Sequence, residues 1–185
     1  DVTQGIAGLL ADRGVFAFEV HYLGSVVEGL QYDMIYHEHL YYYSLCALEN
    51  HFARHGLTIF DLKKIPIHGG SIRYYVCRAD DPRAGSPTGR LLQLREEEKL
   101  RGYHQIETFR NFAQTIADRK STLMQFLERA RNAGRSVAGY GASGRANTII
   151  QYCGIGPDHM QYMIDDAPAK WGYFTPGSHI EIRSR

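Results

Sequence analysis

Cysteine is scarce in this chain: Cys46, Cys77 and Cys153 are the only three, an odd number widely spaced. No two stand at C-x-x-C spacing, so neither a thiolate zinc cluster nor a disulfide framework is indicated, and no metal is assigned. Proline is sparse at 6 residues and tryptophan occurs once. No apolar run approaches the ~20 residues of a membrane span, which excludes a membrane as partner at this level of reading. Residues 1–13 are polar and helix-like rather than basic and then apolar, unlike a secretory signal. Charge of one sign is missing too. The 21 Lys+Arg against 20 Asp+Glu leave a formal net charge of +1, without the basic surplus of a nucleic-acid binder. A reducing cytoplasm is the expected compartment.

What remains is an ordinary globular composition, 44% hydrophobic and 22% charged in 185 residues, enough chain for a core without disulfides. Tyrosine (13) and histidine (9) are plentiful. Residues 2–13 read as an amphipathic helix stopped by Gly14, and residues 15–20 as a buried strand, together an αβ unit of a mostly parallel sheet. Ser44 is placed to cap a helix ended by Gly56. Residues 57–62 and 71–77 read as a strand pair around a bend at residues 66–70. The Asp/Pro/Gly/Ser-rich residues 80–89 are the linker candidate. Two long helical patterns follow over residues 90–102 and 106–133. Residues 136–164 then give strand, glycine turn, helix and strand, a βαβ unit. The fold class is α/β: the tail of one sheet with a strand pair, then a small Rossmann-like domain.

Four stretches could carry chemistry. In Tyr36-His37-Glu38-His39 a His can take a proton near neutral pH, a carboxylate can orient the imidazole, and a phenol can donate to a developing oxyanion. Such a set suits proton abstraction beside a carbonyl; the competing reading is that these side chains satisfy loop backbone. A metal held by His37 and His39 is the weaker reading, for want of a third ligand. At His68-Gly69-Gly70-Ser71 a phosphate or sugar could approach the backbone, although spacing alone favours a plain turn. Gly139-Tyr140-Gly141-Ala142-Ser143-Gly144 is a G-x-G-x-x-G between strand and helix, where a dinucleotide could rest. Its expected acidic partner is poorly placed, since Asp165 and Asp166 fall just past the second strand, and tight packing alone would explain the glycines. Residues 165–177, rich in Pro, Gly and aromatics, could line a ligand crevice or simply pack on the surface.

In order along the chain, Ile35-Tyr36-His37-Glu38-His39, His68-Gly69-Gly70-Ser71, the run from Gly139 through Asn147, and Asp165-Asp166-Ala167-Pro168 through Gly177 resemble the nucleotide-sugar C-methyltransferase family. The resemblance implies S-adenosylmethionine as methyl donor and a nucleotide-linked keto-sugar as substrate. It implies His39 as the base taking the proton α to the ketone, Glu38 as its orienter, and Tyr36 on the enolate oxygen or the sugar. His68, Gly69, Gly70, Ser71, Tyr140, Gly141, Ala142 and Ser143 become candidate substrate contacts. Family members carry an N-terminal zinc-binding module, a central methyl-donor domain and a C-terminal Rossmann-like domain. This chain is then expected to hold the donor domain's tail (residues 1–80) and a truncated C-terminal domain (residues 90–185). The zinc module and the donor's glycine-rich site would lie outside it, and the fragment alone would be inactive. Two rivals stand beside this reading: an NAD(P)-dependent oxidoreductase domain built on residues 139–144, and a non-catalytic sugar-nucleotide-binding module.

Overall fold

The computed structural model describes residues 2–185; Asp1, the first residue of the expected first domain, lies outside the described residues. The chain forms two compact units. The first comprises the residues up to Gln31 together with Tyr41–Asn111, and the second Tyr32–Leu40 together with Phe112–Arg185.

The first unit is built from α1 (Val2–Leu9), β1 (Phe16–His21), α2 (Leu23–Glu28), α3 (Leu45–Ala53), β2 (Leu57–Ile65), β3 (Ser71–Arg78) and α4 (Gly89–Leu100). Its sheet has the order β1-β3-β2 and every pairing is antiparallel, with Phe16 opposite Val76 and His21 opposite Ser71. The parallel sheet expected at β1 is therefore corrected. The cause lies in how the strand is buried. A strand of a parallel sheet is buried on both faces, but Glu19 interrupts the apolar run and pairs outward with Arg73 at 3.0 Å. One side alone of β1 faces the core, where Phe18 stacks on the fully buried Tyr74 at 5.4 Å between ring centres.

Two devices fix the helices on this sheet. Ser44 caps α3, its hydroxyl accepting from Ala47 N at 3.2 Å. The buried Glu98 of α4 accepts from Leu45 N at 2.6 Å and Cys46 N at 3.0 Å. Amides that a helix start leaves without intrahelical partners are thus met by two side chains. The second device is Asp61, presented by a register shift in β2. It accepts from Thr88 Oγ1 and Arg90 Nε, both at 2.6 Å, tying the start of α4 to β2.

Residues 80–89 are no free linker. They form a 3-10 turn, Pro82–Gly85, capped by Asp81. Arg83 donates to Asp81 Oδ1 at 2.7 Å and to the carbonyls of Arg13 and Gly14 at 3.0 and 3.2 Å. Side-chain bonding has overridden what composition suggests, and the compact units divide instead within α5 (Ile106–Asn132).

The second unit contains most of α5 with β4 (Ala138–Tyr140), α6 (Gly144–Cys153), β5 (Tyr162–Ile164) and β6 (Glu181–Arg183). The strands run parallel in the order β4-β5-β6, as the strand-turn-helix-strand pattern expects. Its core gathers Leu127, Ile150, Cys153, Met163 and Ile180. Gly139 is closely packed, since a Cβ there would stand 2.6 Å from Met160 Sδ. The chain is thus an α/β protein. Among the described residues no helix is long and apolar enough to cross a membrane.

Candidate active site

The Tyr36-to-His39 stretch belongs to the second unit, where it lies against α6. A short 3-10 turn, Tyr32–Met34, opens it and buries Met34. Asp33 is held by Arg145 through Nε at 2.7 Å and a terminal nitrogen at 2.6 Å. Tyr32 sets its ring edge-on to Tyr152 at 5.6 Å, and its burial pushes its phenol up to about 12. The amide of His39 donates to Tyr36 O at 2.9 Å, closing a tight turn. That turn brings the three expected catalytic residues together. Tyr36 OH donates to Glu38 Oε2 at 3.1 Å, and the Tyr36 and His39 rings lie 5.1 Å apart, edge to face. The bond to Glu38 pushes the Tyr36 phenol up, keeping it a proton donor. Glu38 and His37 are exposed and His39 half-buried. An imidazole, a carboxylate and a phenol on one turn can accept a proton and donate a hydrogen bond to one ligand.

His68-Gly69-Gly70-Ser71 forms the bend between β2 and β3 in the first unit. His68, Gly69 and Gly70 have successive φ values of 52°, 78° and 129°, left-handed backbone that glycine tolerates and other residues resist. Close neighbours also exclude side chains. A Cβ on Gly69 would lie 2.6 Å from Gln31 Oε1, and one on Gly70 would overlap Ser25 Oγ. Gln31 Nε2 donates to Gly69 O at 3.0 Å. Beside the bend lies a cavity of about 600 Å³ whose lining includes Tyr22, Ser25, Glu28, Gly69, Gly70 and Ser71. Glu28 there pairs with Arg101 and accepts from Tyr103 OH at 2.7 Å. The Ser71 hydroxyl is engaged by Ile67 O at 3.1 Å.

The glycine turn of the second unit is closed on itself. Gly141 N donates to Ile164 O at 2.7 Å and Ser143 N to Gly141 O at 3.0 Å. Ala142 N donates to Asp165 Oδ2 at 2.8 Å, and Ser143 caps α6 through Ala146 N at 3.2 Å. The buried Asp165 also takes Lys170 Nζ at 2.8 Å and Ala167 N at 2.9 Å. The Lys170 ammonium, with these amides, holds its carboxyl below the usual range. The Gly141, Ala142 and Ser143 amides are thus taken by Ile164 O, the Asp165 carboxylate and Gly141 O, which does not favour the nicotinamide reading. Tyr140 is exposed, donates to Asp166 Oδ2 at 2.5 Å and carries the Arg185 guanidinium 5.4 Å from its ring centre.

Residues 66–185 match the family described as "C-methyltransferase C-terminal domain". The chain belongs to this C-methyltransferase family. It is also 32% identical over 184 residues to the C-methyltransferase NovU of Streptomyces niveus, across 100% of this chain and 43% of that protein. The chain therefore spans less than half the length of that relative. Among the described residues no group of three or more His, Cys, Asp or Glu is arranged to hold a metal ion.

Sequence reading brought out Tyr36, Glu38 and His39 but missed the residues that hold their segment. Arg145 and Asp33 stand 112 positions apart, and no local pattern links them. Gln31 and Ser25 had one indirect signal, the adjacent glycines 69 and 70, whose missing side chains ask what fills the space.

Proposed function

We propose that this chain carries the proton-abstracting part of an S-adenosylmethionine-dependent C-methyltransferase acting on a nucleotide-linked keto-sugar. The observation that supports it is the turn joining the Tyr36 phenol, the Glu38 carboxylate and the His39 ring, in a chain of the C-methyltransferase family. His39 takes the proton from the carbon α to the ketone, and the C–H electron pair moves toward the ketone oxygen. Glu38 orients the site and supports the imidazolium. Tyr36 donates to the oxygen gaining charge. S-adenosylmethionine supplies the methyl group, and this chain's residues serve the proton-transfer half alone. Beside Gly69, Gly70 and Ser71 the first unit has a cavity of its own, about 600 Å³, of a size that small-molecule sites use. The exposed Tyr140 ring is assigned to the nucleotide end. Zinc, in this reading, belongs to an N-terminal module outside the chain, and the enzyme is cytoplasmic.

The deciding experiment follows solvent deuterium entering the α-carbon of the keto-sugar in the full-length protein, without methyl donor. His39→Asn is expected to slow exchange by about 10²- to 10⁴-fold, the range a positioned general base supplies. Glu38→Gln is expected to cost less, because the imidazole survives. Exchange at the wild-type rate in His39→Asn would remove His39 as the base.

A further inference from the structure

We infer that α6 is the cradle of the Tyr36-to-His39 segment, with Gly144 and Arg145 as positioning residues; the inference rests on the reading of that segment as the reacting one. The glycine motif then has a task other than holding a nucleotide.

The first observation is Gly144. It is not among the glycines of positive φ, so backbone conformation does not demand it. Gly144 opens α6 directly after the Ser143 cap, and what surrounds it explains the missing side chain. The three atoms nearest a Cβ built there all belong to the Tyr36 ring, the closest at 3.3 Å. Gly144 is small where Tyr36 rests. The second observation is the next residue. Arg145 places two nitrogens on Asp33 Oδ2, and the Asp33 side chain is only 16% exposed. A carboxylate that far from water depends on its cation, so Asp33 fixes where the segment begins. Third, the Glu38 bond that pushes the Tyr36 phenol up is opposed by the Arg145 charge, so the guanidinium also acts on the phenol. At the other end of the helix Tyr32 meets Tyr152. The segment is held at both ends of α6, and the phenol lies over its first residue.

The test compares Arg145→Ala, Asp33→Ala, their double variant and Gly144→Ala in the full-length protein. Hydrogen exchange at the His39 amide, which bonds Tyr36 O, reads the segment without any turnover. Methyl-transfer kcat and KM read its use. Each variant is expected to speed His39 exchange and to lower kcat by about tenfold or more, as small misplacements of reacting groups do. KM should hold nearly constant, and the melting temperature should fall most in Arg145→Ala, which leaves the Asp33 carboxylate unpaired. The double variant should be no worse than the worse single, and Arg145→Lys should recover part of the loss. Unchanged His39 exchange, or losses from Arg145 and Asp33 that add independently, overturns the cradle. A wild-type protein that exchanges no α-proton refutes the functional reading instead, and the amide measurement still decides the cradle.

Discussion

At the scale of single residues, the glycines of the β2–β3 bend are explained by their neighbours. Gly70 combines a φ of 129° with a backbone set against Ser25. Gly70→Ala is expected to destabilise the first unit by about 1–3 kcal/mol, the usual cost of an L side chain in a forbidden backbone region, as a lowered denaturation midpoint. Ser25→Gly in the same chain should relieve the steric part and leave the conformational part. The sequence could show that this bend needs glycine, and it pointed to a ligand as one reason. What it could not show is that Gln31 and Ser25 already occupy the approach to the two glycines, because both come from the region around α2. Tyr36, Glu38 and His39 were legible for the opposite reason: they are near neighbours along the chain, and one tight turn suffices to bring them together.

At the scale of elements, β2 and α4 are locked by Asp61. Its carboxyl is held down to about 2, first by the Arg90 guanidinium and also by Thr88 and the Leu62 amide. A carboxyl depressed on folding contributes stability that is fully present above the ordinary carboxylate range and is lost as pH falls through the folded value. Acidification from about pH 4 to about pH 2 should therefore weaken the first unit, and Asp61→Asn should flatten that part of the profile while lowering stability at neutral pH. Chemical denaturation across that range measures both. Helix and strand placement was legible wherever a cap, a glycine turn or a period marked it: Ser44 before α3, residues 141–144 before α6, the hydrophobic spacing along α5. The direction of β1 was not, because a six-residue apolar strand looks alike in parallel and antiparallel sheets until the partner of Glu19 is known. The run at residues 80–89 misled for a similar reason. Its composition is that of a linker, but the reach of Arg83 to the carbonyls of Arg13 and Gly14 and the bond of Thr88 to Asp61 tie it down.

At the scale of the whole molecule, neither compact unit is a continuous stretch of chain. Tyr32–Leu40 is numbered among residues of the first unit yet belongs to the second. That has a consequence for how such proteins can be shuffled, by laboratory recombination or by gene exchange. A single crossover placed at residues 80–89, where composition invites it, would give α6 of one parent the Tyr36-to-His39 segment of another. The Tyr36 ring would then meet whatever residue the other parent carries at position 144, and Asp33 whatever it carries at 145. On the proposed function, chimeras made in the full-length protein with a relative such as NovU are expected to keep methyl transfer when residues 32–40 travel with residues 112–185 by two crossovers. They should lose most of it with one crossover whenever the parents differ at positions 33, 36, 144 or 145. Assaying both chimera sets for product checks this directly. Inheritance of activity would then follow the compact unit rather than the linear order of the gene.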